Sequence, residues 1–126
     1  GVIDGTIDMI ATDHAPHSAE EKSRGLQKSA FGVVGLETAF PLLYTHLVKK
    51  GIFTFEKLLD LMCFAPRKRF GIPLDEGDYA LWDLEEEYVI DPEKFHTKGR
   101  ATPFAGEKVF GRCVKTYYKG KEVFGL

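Results

Sequence analysis

The sequence predicts an α/β chain in which a single strand precedes two or three helices and a small antiparallel β unit. Three observations carry this. The apolar run around Asp8, residues 7–11, has the length and composition of a short buried strand. Apolar residues at Leu36, Phe40, Leu43 and Leu47 recur at spacings of four, three and four, the mark of one helical face. Beyond Pro73, turn residues alternate with β-prone runs.

The strand at residues 7–11 delivers Asp13 to its carboxyl end, and Pro16 then stops any ladder. Residues 18–28 are polar and charged and read as a long loop. The periodicity predicts a helix over residues 35–50, ended by Gly51. Pro41 inside it removes a backbone donor, so a kink or a later start is expected. Thr54 suits the N-cap of a second helix through Met62, with Leu58, Leu59 and Met62 facing inward. A short third helical turn fits residues 66–70, entered by Pro66 and left at Gly71. Strands are expected at residues 79–84, 88–90 and 108–118, and a turn at Lys119 and Gly120 leads into residues 121–124 to close a terminal hairpin. Between them residues 91–103 are polar, carry Pro92 and Pro103, and are expected to wrap another surface. The character of the chain therefore changes at residue 73, which separates residues 1–73 from residues 74–126. One parallel strand cannot make an α/β sheet alone, so its neighbours are expected from elsewhere and the chain reads as a piece of something larger.

Composition narrows the function classes. A hydrophobic content of 44% over 126 residues suits one globular core. Seventeen basic and 19 acidic residues, net −2, are spread along the chain and leave no polybasic footprint for nucleic acid or an anionic membrane. No apolar run approaches the roughly 20 residues of a membrane span, and no signal-peptide pattern opens the chain. Cys63 and Cys113 lack CxxC spacing and read as reduced thiols, which fits a cytoplasmic address.

The chemistry concentrates in Thr12, Asp13, His14, Ala15, Pro16 and His17, one carboxylate and two imidazoles at a junction of strand and loop. Asp13 is open to two readings. Its carboxylate can ligate a divalent metal and take a proton from metal-bound water, or it can bond the local backbone of a turn. His14, next along an extended chain, points the opposite way and reads as structural. His17, beyond Pro16, either curls back to donate to an anionic substrate group or stands in solvent. No HxH, HExxH or CxxC pattern completes a metal shell. His46 lies on a helix and His96 in the polar wrapping segment, and both read as structural or solvated.

The run Ile10, Ala11, Thr12, Asp13, His14, Ala15, Pro16, His17, followed by Glu20, Glu21 and Lys22, closely resembles the second signature of dihydroorotases, cyclic amidohydrolases of the amidohydrolase superfamily. Residues 31–39 resemble that family's loop and following helix, and Thr102, Pro103, Phe104 and Gly106 resemble its return into a β-sandwich. Ala30 departs from the pattern, which has proline there. The resemblance implies a metal-dependent (β/α)8 barrel with an appended β-sandwich. Residues 1–73 would supply the last barrel strand and helices, and residues 74–126 strands of the sandwich. It implies the interconversion of N-carbamoyl-L-aspartate and dihydroorotate in pyrimidine biosynthesis, with one or two Zn2+ ions whose other ligands lie outside this chain. Asp13 would then ligate metal and act as general base and acid, His17 would bind the substrate carboxylate, and the backbone around Phe31 and Gly32 would contact the pyrimidine ring. Zinc would supply hydroxide and polarise the carbonyl, leaving Asp13 to carry the proton to the departing nitrogen. A homo-oligomer or a complex with aspartate transcarbamoylase is the implied assembly.

Allantoinases and hydantoinases or dihydropyrimidinases are the rival enzymes. Their substrates lack the ring-bound carboxylate that His17 would meet. A dihydroorotase-like subunit without catalysis is the rival from another class. An independent binding module fares worse, since a lone parallel strand leaves open edges.

Overall fold

A computed structural model describes all 126 residues. The opening segment departs from expectation. Residues 7–11 run extended but pair with no strand, and Ile7 is 49% exposed rather than buried. Ile10 N–H finds the carbonyl of Leu61 on a helix instead of a ladder partner, at 3.0 Å. The reason is the one that made the strand incomplete on paper: a parallel strand satisfies its amides only between neighbours, and this chain holds none.

A second difference follows at once. Within the predicted loop, Ala19–Lys22 form a one-turn helix, α1, under a reciprocal cap in which Ser18 and Glu21 each satisfy the other's backbone N–H. The spacing Ser-x-x-Glu is the signal for it.

The predicted helix over residues 35–50 starts later, as α2 (Ala39–Leu43), and continues as a π-helical stretch, Tyr44–Val48. Pro41 sits in the first turn, where its missing N–H would have had no helical partner. Leu36 is left outside the helix and 65% exposed. The next helix is longer than expected. It begins at Thr54, whose Oγ1 accepts from Lys57 N–H at 3.1 Å, and runs as α3 (Phe55–Leu59), a π stretch (Asp60–Phe64) and α4 (Ala65–Phe70). The wider turns before Pro66 give room to a ring that would meet the carbonyl four residues back in a regular helix. Gly71, with φ of 65°, ends it in the left-handed conformation.

Three strands, β1 (Tyr79–Val89), β2 (Lys108–Tyr118) and β3 (Lys121–Gly125), form one antiparallel sheet in that order. The two strands expected at residues 79–84 and 88–90 are one. An irregularity between Asp83 and Glu87 joins them, with Asp83 Oδ1 accepting from the amides of Glu85 and Glu86 that the ladder leaves free. Lys119 and Gly120 make the expected turn, both at positive φ.

The helices pack on the sheet through Phe40, Tyr44 and Leu58, which meet Phe55, Leu59, Trp82, Leu84 and Phe110. Phe40 and Trp82 rings lie 4.1 Å apart. Gly111, at φ of 89°, allows this approach, since a Cβ there would stand 3.2 Å from Phe40 and 3.3 Å from Tyr44. Thr45 Oγ1 accepts from Phe110 N–H at 2.8 Å, and His46 bonds Glu107, so α2 is tied to the start of β2 by polar contacts as well. No helix is long and apolar enough to cross a membrane.

Candidate active site

The expected site residues lie on two backbone segments that run side by side. Ala15 N–H donates to the carbonyl of Val33 at 2.9 Å, linking residues 12–17 to residues 30–36. His14 locks the pair. Its Nδ1 accepts from the amides of Gly35 at 3.0 Å and Leu36 at 3.3 Å, and its Nε2 lies 3.4 Å from Thr97 Oγ1. An imidazole accepting at Nδ1 carries its proton at Nε2, so His14 faces away from solvent chemistry and serves structure, as its position after Asp13 suggests.

Asp13 sits at a bend rather than at the end of a paired strand. It adopts φ of 46°, a left-handed conformation unusual outside glycine, and its side chain is exposed. No backbone amide or side chain within the chain occupies its carboxylate, so the local-turn reading of this aspartate is not the one the geometry takes. The carboxylate is thus presented outward by a bend that His14 and Ala15 hold from the following residues.

His17 lies at the entrance to α1. Its Nδ1 is 3.8 Å from Glu21 Oε2, and the same Glu21 carboxylate accepts from Ser18 N–H at 2.8 Å and Ser18 Oγ at 2.9 Å. Those Ser18 hydrogen bonds, backbone first, hold the Glu21 carboxyl below the usual glutamate range. A charged Glu21 thus stands near the His17 ring without a hydrogen bond to it.

Phe31 is 85% exposed, and Gly32 adopts φ of 101° with its backbone pressed against Ala15. A Cβ at residue 32 would come within 2.5 Å of the Ala15 Cβ. The glycine allows a close approach, and in this chain the surface approached is the segment carrying Asp13 and His17.

Residues 91–103 wrap this region as expected. The Glu37 carboxylate accepts from His96 N–H at 2.9 Å and Thr97 N–H at 3.0 Å, and Val34 N–H donates to Ala101 at 3.0 Å. Gly99 is buried against Pro16 and Val34, where a Cβ would come within 2.7 Å of Val34 Cγ1. Glu37, Thr97 and Gly99 are supports that sequence reasoning missed. Their partners are some 60 residues away in sequence, and only folding brings them together. His46 bonds Glu107, and His96 meets the Phe124 ring edge-on at 5.3 Å, so both stand apart from Asp13 in structural settings. A groove of about 360 Å³ between Trp82, Tyr88, Arg112 and Phe124 is lined by none of the four candidate residues.

An exposed carboxylate free of internal partners suits one position in the coordination shell of a divalent ion. No group of three or more His, Cys, Asp or Glu side chains that could hold an ion lies within the chain. The Asp13 carboxylate is thus a single candidate ligand rather than a complete site.

No family model matches the sequence. A dihydroorotase from Halalkalibacterium halodurans is 54% identical over 130 residues, covering 98% of the chain, and one from a Geobacillus species is 51% identical over the same extent. The chain spans about 30% of the length of these relatives. Among solved structures, the L-hydantoinase (dihydropyrimidinase) from Arthrobacter aurescens superposes with a TM-score of 0.88 at 31% identity, over 98% of this chain and 30% of that one.

Proposed function

The chain belongs to the dihydroorotase family of cyclic amidohydrolases, as the carboxyl-terminal part of a longer barrel enzyme, and on that premise we propose that the enzyme interconverts N-carbamoyl-L-aspartate and dihydroorotate. The observation that carries this reading is the outward, unpartnered carboxylate of Asp13 in a chain 54% identical overall to a dihydroorotase. In it, residues 1–73 complete the barrel and residues 74–126 belong to the appended β-sandwich. The enzyme acts in the cytoplasm, in pyrimidine biosynthesis.

Asp13 would hold one position on a Zn2+ centre. When bound, the ion supplies hydroxide at neutral pH and polarises the amide carbonyl. As the nucleophile's oxygen bonds to the amide carbonyl carbon, the carboxylate of Asp13 takes the nucleophile's proton and delivers it to the ring nitrogen as the C–N bond breaks, and the reverse transfer serves ring closure. His17, with the Glu21 carboxylate 3.8 Å from its ring, donates to the substrate carboxylate. Gly32 gives the flat ring close access to backbone, and the exposed Phe31 ring supplies an apolar wall.

Hydantoinase chemistry is the second reading, favoured by the 0.88 superposition on the Arthrobacter enzyme. Assaying the full-length enzyme with dihydroorotate, hydantoin and allantoin separates them. Preferential turnover of dihydroorotate is expected, and a preference for either other ring overturns the proposal. Sizing the intact enzyme alone and with aspartate transcarbamoylase tests the implied homo-oligomer and complex.

A further inference from the structure

Lys22 closes the run that resembles the family signature, yet the reaction as derived leaves it without a task. Its Nζ lies 2.8 Å from the carbonyl oxygen of Ala30 and 2.8 Å from that of Gly32, with no carboxylate paired to it. Both bonds are partly buried and charge-assisted, the stronger kind. The carbonyls of residues 30 and 32 both face one ammonium, and Phe31 between them is 85% exposed.

The base of the clamp is itself held. Lys22 ends α1 beneath the Ser18 and Glu21 cap, its carbonyl accepts from Ser29 Oγ at 2.9 Å, and Ala30 N–H donates to Glu21 at 3.1 Å. On the far side, the Gly32 backbone rests on Ala15, two residues from Asp13 and two from His17. The ammonium therefore sets where the loop stands relative to the segment bearing the carboxylate and the imidazole.

We propose that Lys22 is a positioning residue for substrate, a cationic clamp on the Ala30 and Gly32 carbonyls that holds the Phe31–Gly32 loop against the anionic cyclic amide. The inference rests on the cyclic-amidohydrolase reading of the site and adds the residue that shapes its ring-binding wall. Lys22 acts through the loop, so its loss weakens binding far more than it slows the chemical step.

The test uses the full-length metal-loaded enzyme. Lys22→Met keeps the aliphatic stem and removes the donors. With two charge-assisted bonds lost, KM is expected to rise about tenfold or more while kcat stays within about threefold. Amide hydrogen exchange at residues 30–33 of the substrate-free enzyme accelerates in the same variant, and Lys22→Arg, which restores a cationic donor, recovers most of both effects. An unchanged KM, unchanged loop exchange, or a loss confined to kcat overturns the clamp. If Lys22→Met does not fold, Lys22→Gln takes its place, with a smaller rise in KM expected and an unchanged KM again overturning the inference. KM is measured on whichever cyclic amide the wild-type enzyme prefers. A preference for hydantoin would thus defeat the dihydroorotase assignment while leaving the Lys22 result readable.

Discussion

At the scale of residues, the site is held by backbone conformations that are costly except for the atoms beside them. Asp13 at φ of 46° persists because His14 and Ala15, the two residues after the bend, bind the neighbouring backbone segment. Asp13→Asn keeps that shape and removes the proton carrier. In the full-length enzyme we expect kcat to fall about 100- to 10,000-fold, measured by dihydroorotate turnover with thermal stability near wild type. Gly32 tests the loop from the other direction. Gly32→Ala strains a positive φ and drives a Cβ into Ala15, so the enzyme should lose about 1–3 kcal/mol of stability, read as a lower melting temperature, with weaker substrate binding. Asp13 and His17 stand out as candidates in the sequence because they lie within one short, contiguous run, and Phe31 and Gly32 enter as candidates only through the family resemblance. Lys22, Glu37 and Thr97 were not assigned roles there, since their bonds depend on where loops fold back.

At the scale of elements, local propensity placed most of the boundaries. Thr54 and Gly71 mark the two ends of a helix in the chain as they do in the fold, through capping and left-handed exit, whereas Pro66, expected to open a separate turn, lies within it. The π-helical turns and the irregularity that fuses two expected strands have no such residue signature, because they answer to packing around Pro66 and to the twist of β1 against β2. The hairpin of β2 and β3 makes a pH prediction. Hydrogen bonds from Lys115 and then Tyr117 hold the Glu122 carboxyl below its ordinary range, while the bond to Glu122 raises both Lys115 and Tyr117. A lowered carboxyl stabilises above its unfolded value and loses that contribution as pH falls through its folded value. Raised Lys and Tyr groups stabilise below their unfolded values and lose it as pH rises through their folded ones. Pairing of β3 should therefore be best between the carboxylate range and the lysine and tyrosine range. Amide exchange in residues 121–125 should quicken toward either extreme, and less so in high salt, because all three groups are exposed. An exchange rate that follows only the intrinsic pH dependence of unstructured amides would contradict this.

At the scale of the whole molecule, burial is too thin for self-sufficiency. Only 11 of 126 residues are buried, and Ile3, Leu26, Leu36, Phe70 and Leu126 are each more than 60% exposed. Residues 7–11 keep an open edge on which no strand of this chain pairs. The isolated chain is thus expected to melt broadly and to bind a hydrophobic dye, while the same residues within the intact enzyme melt cooperatively; a sharp transition of the isolated chain would contradict this. By itself the sequence determined what near neighbours along the chain can settle: helix caps and turns, the amphipathic face of α2, the signature run with its carboxylate and imidazoles, and the family those residues belong to. The tertiary structure alone decided that Asp13 stands at a strained, outward bend and that His14 fastens two loops. It alone decided that Lys22 bonds the carbonyls of residues 30 and 32 and that Glu37 takes the amides of residues 96 and 97, because each depends on distances between segments that no local propensity encodes.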